Sequence, residues 1–235
     1  MNLKEFSDQF DTLLDSYKLK EKFGDIEDLY TLKLDEYEKS TYLTKAQYDL
    51  IIDLYTGRNQ IGNSYEQTEE LRRYLSNLNS VKLIEEFTNM GYLGLSPNSV
   101  QCSIADNNIL YITQEQCLLE SEDPCLNNTW LDTYPILRDK YNNLKNNPFK
   151  NKKVWRVDLG IDKVELISKF TIKGYKVSYI RKPKPIILED LYQVSIEGIN
   201  TASECELNSN LHSIILQRAV ETAITYMATK FNNKE

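Results

Sequence analysis

Apolar residues recur every three to four positions through much of the first third of the chain. Residues 3–17 follow this spacing, which predicts an amphipathic helix. Thr44 and Ser64 each precede another stretch of the same kind, and a glutamine follows three residues later, at Gln47 and Gln67. This arrangement is typical of a helix N-terminus, because the polar side chains cap the first backbone N–H groups. The first part of the chain is therefore predicted to be helical.

The pattern changes at 91–97, where glycine and proline interrupt the helical spacing. Apolar and polar residues then alternate at 100–104, at 109–113 and through much of 154–181, as they do in half-buried strands. The three-to-four spacing returns near residue 209. We therefore predict an α+β fold in three regions, namely a helical region at 1–95, a β-rich region at 96–207 and a long C-terminal helix at 208–235.

Apolar residues surround more than half of the predicted C-terminal helix when its residues are placed at about 100° intervals. A helix on a protein surface shows a narrower apolar stripe. The second apolar side must therefore be covered, either by the chain's own sheet or by another subunit. We expect a subunit interface at Leu216, Val220, Ala223, Ile224 and Met227.

The residue counts argue against most catalytic chemistry. The chain has 1 histidine, His212, whereas general acid–base catalysis near neutral pH uses histidine most often. Its 4 cysteines form no CxxC pair and its 8 glycines form no phosphate-binding loop, so we expect no metal, no cofactor and no catalytic residue. His212 falls among apolar helix positions and is expected to be packed and hydrogen-bonded. The acidic segment 115–132 leaves a carboxylate-dependent hydrolase open, although its spacing selects neither metal nor sugar chemistry.

Positive charge is concentrated in one block of an acidic chain. The net charge is −7, yet residues 136–185 hold 14 Lys and Arg against 4 Asp and Glu. Such a block suits a negatively charged partner, which could be the acidic part of a neighbouring copy or nucleic acid. It could equally be a solvated strand face whose lysines protect a sheet edge. The candidate basic surface comprises Lys150, Lys152, Lys153, Arg156, Lys173, Lys176, Arg181, Lys182 and Lys184.

A series of short motifs runs in order through nearly the whole chain. Its members are Glu36–Ser40, Leu43–Gln47, Tyr55–Gly57, Thr68–Leu75, Asn147–Phe149, Lys182–Leu188 and Glu204–Leu207, the last leading to Leu211 and His212. The shared order, more than any single motif, resembles the virion structural proteins of crAss-like bacteriophages that infect gut Bacteroidetes. The series looks in particular like their portal-proximal ring protein, a head-to-tail connector.

The resemblance implies a ring-forming connector subunit that is stacked below the portal and extends the DNA channel. It implies about twelve copies in a ring, to match a twelve-fold portal. Contacts are then expected with the portal, with adjacent ring or tail proteins and, non-specifically, with packaged DNA, in a virion assembled in the bacterial host cytoplasm. No catalytic residue follows from it. The alternatives are a tail-hub or tail-tube subunit of the same particle, or a protein-binding module outside the virion. No membrane contact is expected, since no apolar run reaches the roughly 20 residues of a membrane-spanning helix.

Overall fold

The structure is a computed structural model that describes residues 1–20, 33–58, 64–104, 108–145, 153–160 and 162–232. Its chain forms two compact units. The helical unit combines Met1–Leu78 with Pro183–Glu235, and the sheet unit is the intervening segment Asn79–Lys182. The sheet unit is therefore an insertion between two segments that pack together.

Five α-helices occur in the described ranges. They are α1 (Leu3–Lys20), α2 (Glu36–Thr56), α3 (Glu69–Tyr74), α4 (Tyr141–Leu144) and α5 (His212–Asn232). All except α4 belong to the helical unit, where α5 packs against both α1 and α2. Buried side chains on these three helices include Phe6, Phe10, Leu50, Ile51 and Ile215.

A capping box begins α2. The carboxylate of Asp35 accepts a hydrogen bond from the N–H of Glu38 (2.7 Å), and the Glu38 carboxylate accepts one from the N–H of Asp35 (3.2 Å). Gly57 ends the helix in the left-handed conformation, at φ +82°. The predicted cap at Thr44 was wrong, because this earlier capping box starts the helix upstream. The Thr44 hydroxyl lies inside the helix and bonds instead to the backbone N–H (3.1 Å) and C=O (3.3 Å) of Ile186.

Eight strands form one mixed sheet in the described part of the sheet unit. They are β1 (Asn79–Ile84), β2 (Thr88–Asn89), β3 (Val100–Ser103), β4 (Ile109–Glu120), β5 (Thr129–Pro135), β6 (Val154–Asp158), β7 (Lys163–Ile167) and β8 (Thr171–Arg181). The order across the sheet is β1-β8-β4-β5-β6-β7-β3-β2, and every neighbouring pair is antiparallel except β5 and β6. The predicted α+β fold is thereby confirmed.

The helical part of the chain ends earlier than the pattern predicted. The side chain of Gln67 accepts a hydrogen bond from the N–H of Ser64 (3.0 Å), but α3 begins only after Thr68. A 3-10 turn at Ser76–Leu78 follows, and then β1 pairs with the long strand β8. Residues 79–95 are therefore mostly strand and turn, because pairing with β8 overrides the weak helical pattern there.

The sheet curls around its own core. Buried side chains from β1, β3, β4, β6, β7 and β8 belong to one cluster, which includes Ile84, Leu119, Val164 and Tyr175. β1 and β2 are the two edge strands of the sheet. Because only residues 85–87 separate them in the sequence, one continuous stretch of chain forms both edges. One face of each of these strands packs in this cluster. On β6 and β7 the other face is buried as well, because Trp155, Val157 and Ile167 belong to a second cluster.

Residues 183–208 connect the sheet unit to α5 without forming a regular strand. They run beside α2, where the side-chain amide of Gln47 donates to the C=O of Lys184 (2.9 Å). The hydroxyl of Tyr48 lies 2.6 Å from Oε2 of Glu197 and 3.2 Å from the C=O of Pro183. These bonds satisfy carbonyl groups of an irregular segment and fix it to the helical unit.

Candidate subunit-contact surfaces

The structure buries most of the predicted α5 interface inside the chain itself. Leu216, Val220, Ala223 and Met227 are at most 5% exposed, on a helix that packs against α1 and α2. Ile224 keeps partial exposure. Most of the wide apolar arc is thus covered from within the helical unit, and four of the five predicted interface residues are core residues of this chain.

A groove of about 870 Å³ runs along the solvent sides of α2 and α5. Ile52 on α2 and Tyr226 on α5 are both more than a third exposed, and both line it. Arg218 spans the two helices, since its Nη1 lies 2.6 Å from Oδ2 of Asp53. The part of α5 that another protein can reach therefore lies at this groove, away from the buried stripe.

His212 is packed and hydrogen-bonded, as the sequence predicted. It is 6% exposed, its Nε2 lies 3.1 Å from the C=O of Leu207, and its Nδ1 lies 2.9 Å from the nitrogen of Met1. The ring centroids of His212 and Phe6 are 5.2 Å apart. Burial lowers the pKa of His212 although the hydrogen bond to Leu207 opposes the shift. A neutral imidazole that joins α1 to the start of α5 explains these contacts.

A buried ion cluster joins α1 to α2. Nζ of Lys39 lies 2.8 Å from Oδ2 of Asp11, 2.9 Å from Oε1 of Glu36 and 3.2 Å from Oγ of Ser7. Burial by itself lowers a lysine pKa, but the hydrogen bonds to both carboxylates outweigh it, and the pKa of Lys39 is raised. The cluster therefore holds a charged lysine in place and stabilises the helical unit.

Two of the predicted basic residues are ion-paired within the sheet unit. Arg156 contacts Oε1 of Glu115 through Nη1 (2.9 Å) and Oδ1 of Asp158 through Nε (3.3 Å). Nζ of Lys173 lies 2.8 Å from Oε1 of Glu120. These intramolecular carboxylates neutralise much of the positive charge that both cations would present to another molecule.

Two further basic residues lie over aromatic rings. Nζ of Lys153 is 4.3 Å from the ring centroid of Tyr134, and Nζ of Lys176 is 4.9 Å from that of Trp130. The block is thus distributed among several local environments. Of its other members, Arg181 and Lys182 lie at the end of the sheet unit, Lys184 lies in the helical unit, and Lys150 and Lys152 lie outside the described residues.

Glu115 is the centre of a buried polar cluster in the sheet. Its carboxylate accepts hydrogen bonds from the guanidinium of Arg156 and from the hydroxyl of Tyr175. Burial, together with the charge of Glu115, raises the pKa of Tyr175, so the phenol keeps its proton. The carboxylate has the contacts of a structural group, which gives the hydrolase alternative no support.

The sheet unit exposes an apolar patch that the sequence analysis missed. Val81 and Leu83 on β1 point away from the core and are 65% and 53% exposed. Leu118 and Trp130 lie on the same face, because a Cβ built at Gly174 would lie within 4 Å of both side chains and of Leu83. The signal was present as alternation along β1, but it was hidden by the assignment of this stretch to the helical region.

Neither a metal centre nor a membrane span is found within the described ranges. No group of three or more His, Cys, Asp and Glu side chains there could hold a metal ion. None of the helices in that part of the chain is both long and apolar enough to cross a bilayer.

The whole chain matches one protein family. Residues 1–235 fit the family model described as phage tail ring protein 3/4. The chain belongs to this family. It is 46% identical over 242 residues to Ring protein 3 of Bacteroides phage crAss001, with 100% of each chain covered. It is also 33% identical over 236 residues to Ring protein 4/5 of the same phage, covering 95% of this chain and 92% of that relative.

The family match confirms the resemblance to a crAss-like phage ring protein. This member of the phage tail ring protein family is a structural component of the virion, and its family name indicates assembly into a ring. Exposed surfaces of both units are then the places where neighbouring proteins can bind. The groove on α2 and α5 and the apolar patch on β1, β4 and β5 are two such surfaces.

Proposed function

We propose that this chain forms a closed ring that connects head to tail, stacked below the portal and extending the DNA channel. The full-length similarity to a protein named Ring protein 3 is the observation that carries the proposal. The relative named Ring protein 4/5 supports it, since one phage has ring proteins of this family under different ring numbers. Related rings that stack on one another account for this numbering.

The unlike chemistry of the two compact units supports a closed ring. The helical unit has 14 Lys and Arg against 23 Asp and Glu, a net charge of −9. The sheet unit has 14 against 12, a net charge of +2. A contact between unlike surfaces of successive copies is heterologous, and repetition of such a contact closes into a ring when the rotation is right.

The remaining details of the assembly follow from the connector role. Twelve copies would match a twelve-fold portal, with the portal on one side of the ring and an adjacent ring or tail protein on the other. Packaged DNA would pass through the centre without sequence-specific contacts, and assembly would take place in the host cytoplasm. A role of this kind needs shape and contact surfaces, so we propose that the chain catalyses no reaction.

The oligomeric state tests the proposal. We expect mass photometry of the purified chain, alone or with its portal protein, to show a species of twelve copies, each of 27.4 kDa. Negative-stain images of that species should show rings with an open centre. A chain that remains monomeric both alone and with the portal protein would count against a connector ring.

A tail-hub or tail-tube ring is the second candidate, and the word "tail" in the family description favours it. The two candidates differ in position along the particle. Gold labelling of a tagged chain in purified virions distinguishes them, because a connector is labelled at the capsid vertex and a hub or tube subunit further down the tail.

A further inference from the structure

Three lysines line one small cavity in the sheet unit. Lys145 follows α4, Lys153 precedes β6, and Lys169 lies in the turn between β7 and β8. The cavity has a volume of about 100 Å³, and the buried side chains of Tyr141 and Trp155 form part of its wall. Among the described residues, none of the three ammonium groups is ion-paired with a carboxylate.

Like charges around one cavity repel each other, and an anion placed between them removes that repulsion. Since a water molecule takes about 30 Å³ in the liquid, the cavity has room for a carboxylate or a phosphate group. The three lysines in the cavity wall therefore favour an anion as the occupant.

Exposed apolar side chains, called here the apolar rim, lie in two turns whose neighbouring residues pack on the same core cluster. Tyr92, Leu93 and Leu137 are each more than two thirds exposed. Nη2 of Arg138 donates to the C=O of Leu93 (3.5 Å), which ties the two exposed turns together. Their neighbours Leu95 and Ile136 pack against the cluster that contains Tyr141 and Trp155. The apolar rim and the cavity therefore adjoin the same hydrophobic cluster.

The apolar rim favours a protein over DNA. Phosphate groups of a duplex would match the lysines but would leave two exposed leucines and a tyrosine without a contact. The acidic helical unit of the same chain offers both kinds of surface, since it carries the net charge of −9. Glu5 and Asp8 are exposed on its helix α1, and Ile52 and Tyr226 are exposed along its groove.

We propose that the lysine face, formed by Tyr92, Leu93, Leu137, Lys145, Lys153 and Lys169, docks on the helical unit of a second copy of this chain. A carboxylate of that second copy enters the cavity, and the apolar rim packs against the surface around it. This inference rests on the proposed ring and names the contact that repeats around it. Each copy then uses its sheet unit toward one neighbour and its helical unit toward the other.

A photocrosslinker at Leu137 tests which surface the face meets. In assembled rings we expect crosslinks to peptides from 1–78 or 183–235 of a second copy. The same crosslinker at Val81 is the control, because Val81 is similarly exposed but lies on the outer face of β1, and it should give different peptides. Crosslinks from Leu137 to the sheet unit of a second copy, to another virion protein or to DNA would overturn the inference.

A charge-reversal pair tests the cavity itself. Lys145→Glu with Lys169→Glu should raise the chain concentration at which rings form by about tenfold or more, since like charges would then face each other. As a control, Lys163→Glu reverses one exposed charge elsewhere on the sheet unit and should have a smaller effect than Lys169→Glu alone. Equal effects, or rings from the first variant at the wild-type concentration, would contradict the inference.

Failure of this inference can be distinguished from failure of the proposed function. If the wild-type chain forms no ring with or without its portal protein, both are contradicted. If wild-type rings form but Leu137 crosslinks to another surface, only the proposed docking of the lysine face is contradicted. Duplex DNA bound by the wild type and lost in the Lys145 and Lys169 variant, with ring formation unchanged, would assign the cavity to nucleic acid instead.

Discussion

His212 ties the stability of the helical unit to pH. The ordinary pKa of histidine is 6.5, and burial lowers it in the folded chain. Below pH 6.5 the unfolded chain therefore binds the proton more readily, so stability that is fully present above this pH is lost as the pH falls. We expect the midpoint of thermal unfolding to decrease as the pH is lowered from 7.5 through the ordinary histidine value.

The matched variant is His212→Gln, whose side-chain amide can still donate to the C=O of Leu207. Because glutamine does not titrate, the difference in stability between the wild type and this variant should change across the same pH range. A difference that stays constant from neutral pH to the acid side would show that His212 does not carry the effect.

The ion pairs of Arg156 and Lys173 should contribute very different amounts to the stability of the sheet unit. The side chains of Arg156 and Glu115 are 12% and 5% exposed, whereas those of Lys173 and Glu120 are 45% and 51% exposed. Arg156→Met leaves a buried carboxylate without its cation and should lower the free energy of unfolding by about 3–5 kcal/mol. Lys173→Met should lower it by about 0–1 kcal/mol. Urea unfolding measures both, and similar losses would contradict the assignment of Glu115 to the core.

At the scale of elements, α5 is a core helix with one accessible edge. Ala223→Asp places an unpaired charge in the helical unit and should destabilise the fold itself, by several kcal/mol. Ile214→Asp is the matched control, because Ile214 is 40% exposed, and it should leave the unfolding midpoint close to that of the wild type. If Ala223→Asp folded normally and lost only ring formation, α5 would be a subunit interface as its sequence pattern predicts.

The sequence predicted α5 well and β1 poorly, for reasons that lie in packing. Residues 209–230 carry a strong three-to-four spacing, and α5 covers them from His212 onward, after a 3-10 turn at Ser209–Leu211. Residues 79–84 alternate only at Val81 and Leu83, which is too short to distinguish from a helical pattern, and their strand forms because β8 lies beside them. The same limit applies to contact surfaces, since spacing shows that Ala223 is apolar but not that α1 and α2 cover this side of α5.

The sequence pattern also could not predict the lysine cavity. Lys145, Lys153 and Lys169 are separated along the chain, and the pattern showed only a basic block at 136–185. Folding divides that block, because some of its members pair with carboxylates and these three line one cavity. Charge counts alone could not make this distinction, which depends on which strands and turns become neighbours.

In the proposed ring, the whole molecule binds one neighbour through each of its two unlike units. An acidic helical unit and a sheet unit with a local excess of lysines give contacts of unlike type, and exposed charge pairs are screened by salt over about 8 Å at physiological ionic strength. Ring assembly should therefore weaken as salt is raised, with apolar contacts around Leu93 and Leu137 retaining part of the affinity. Mass photometry across a salt series measures this, and rings that become more abundant with added salt would point to contacts without complementary charge.

Cryo-electron microscopy of intact particles, with the neck reconstructed by itself, shows where the chain lies. We expect a closed ring of this chain immediately below the portal, with the DNA channel passing through its centre. Density that places the chain only in the distal tail, or in an assembly that does not close around the channel, would contradict this expectation.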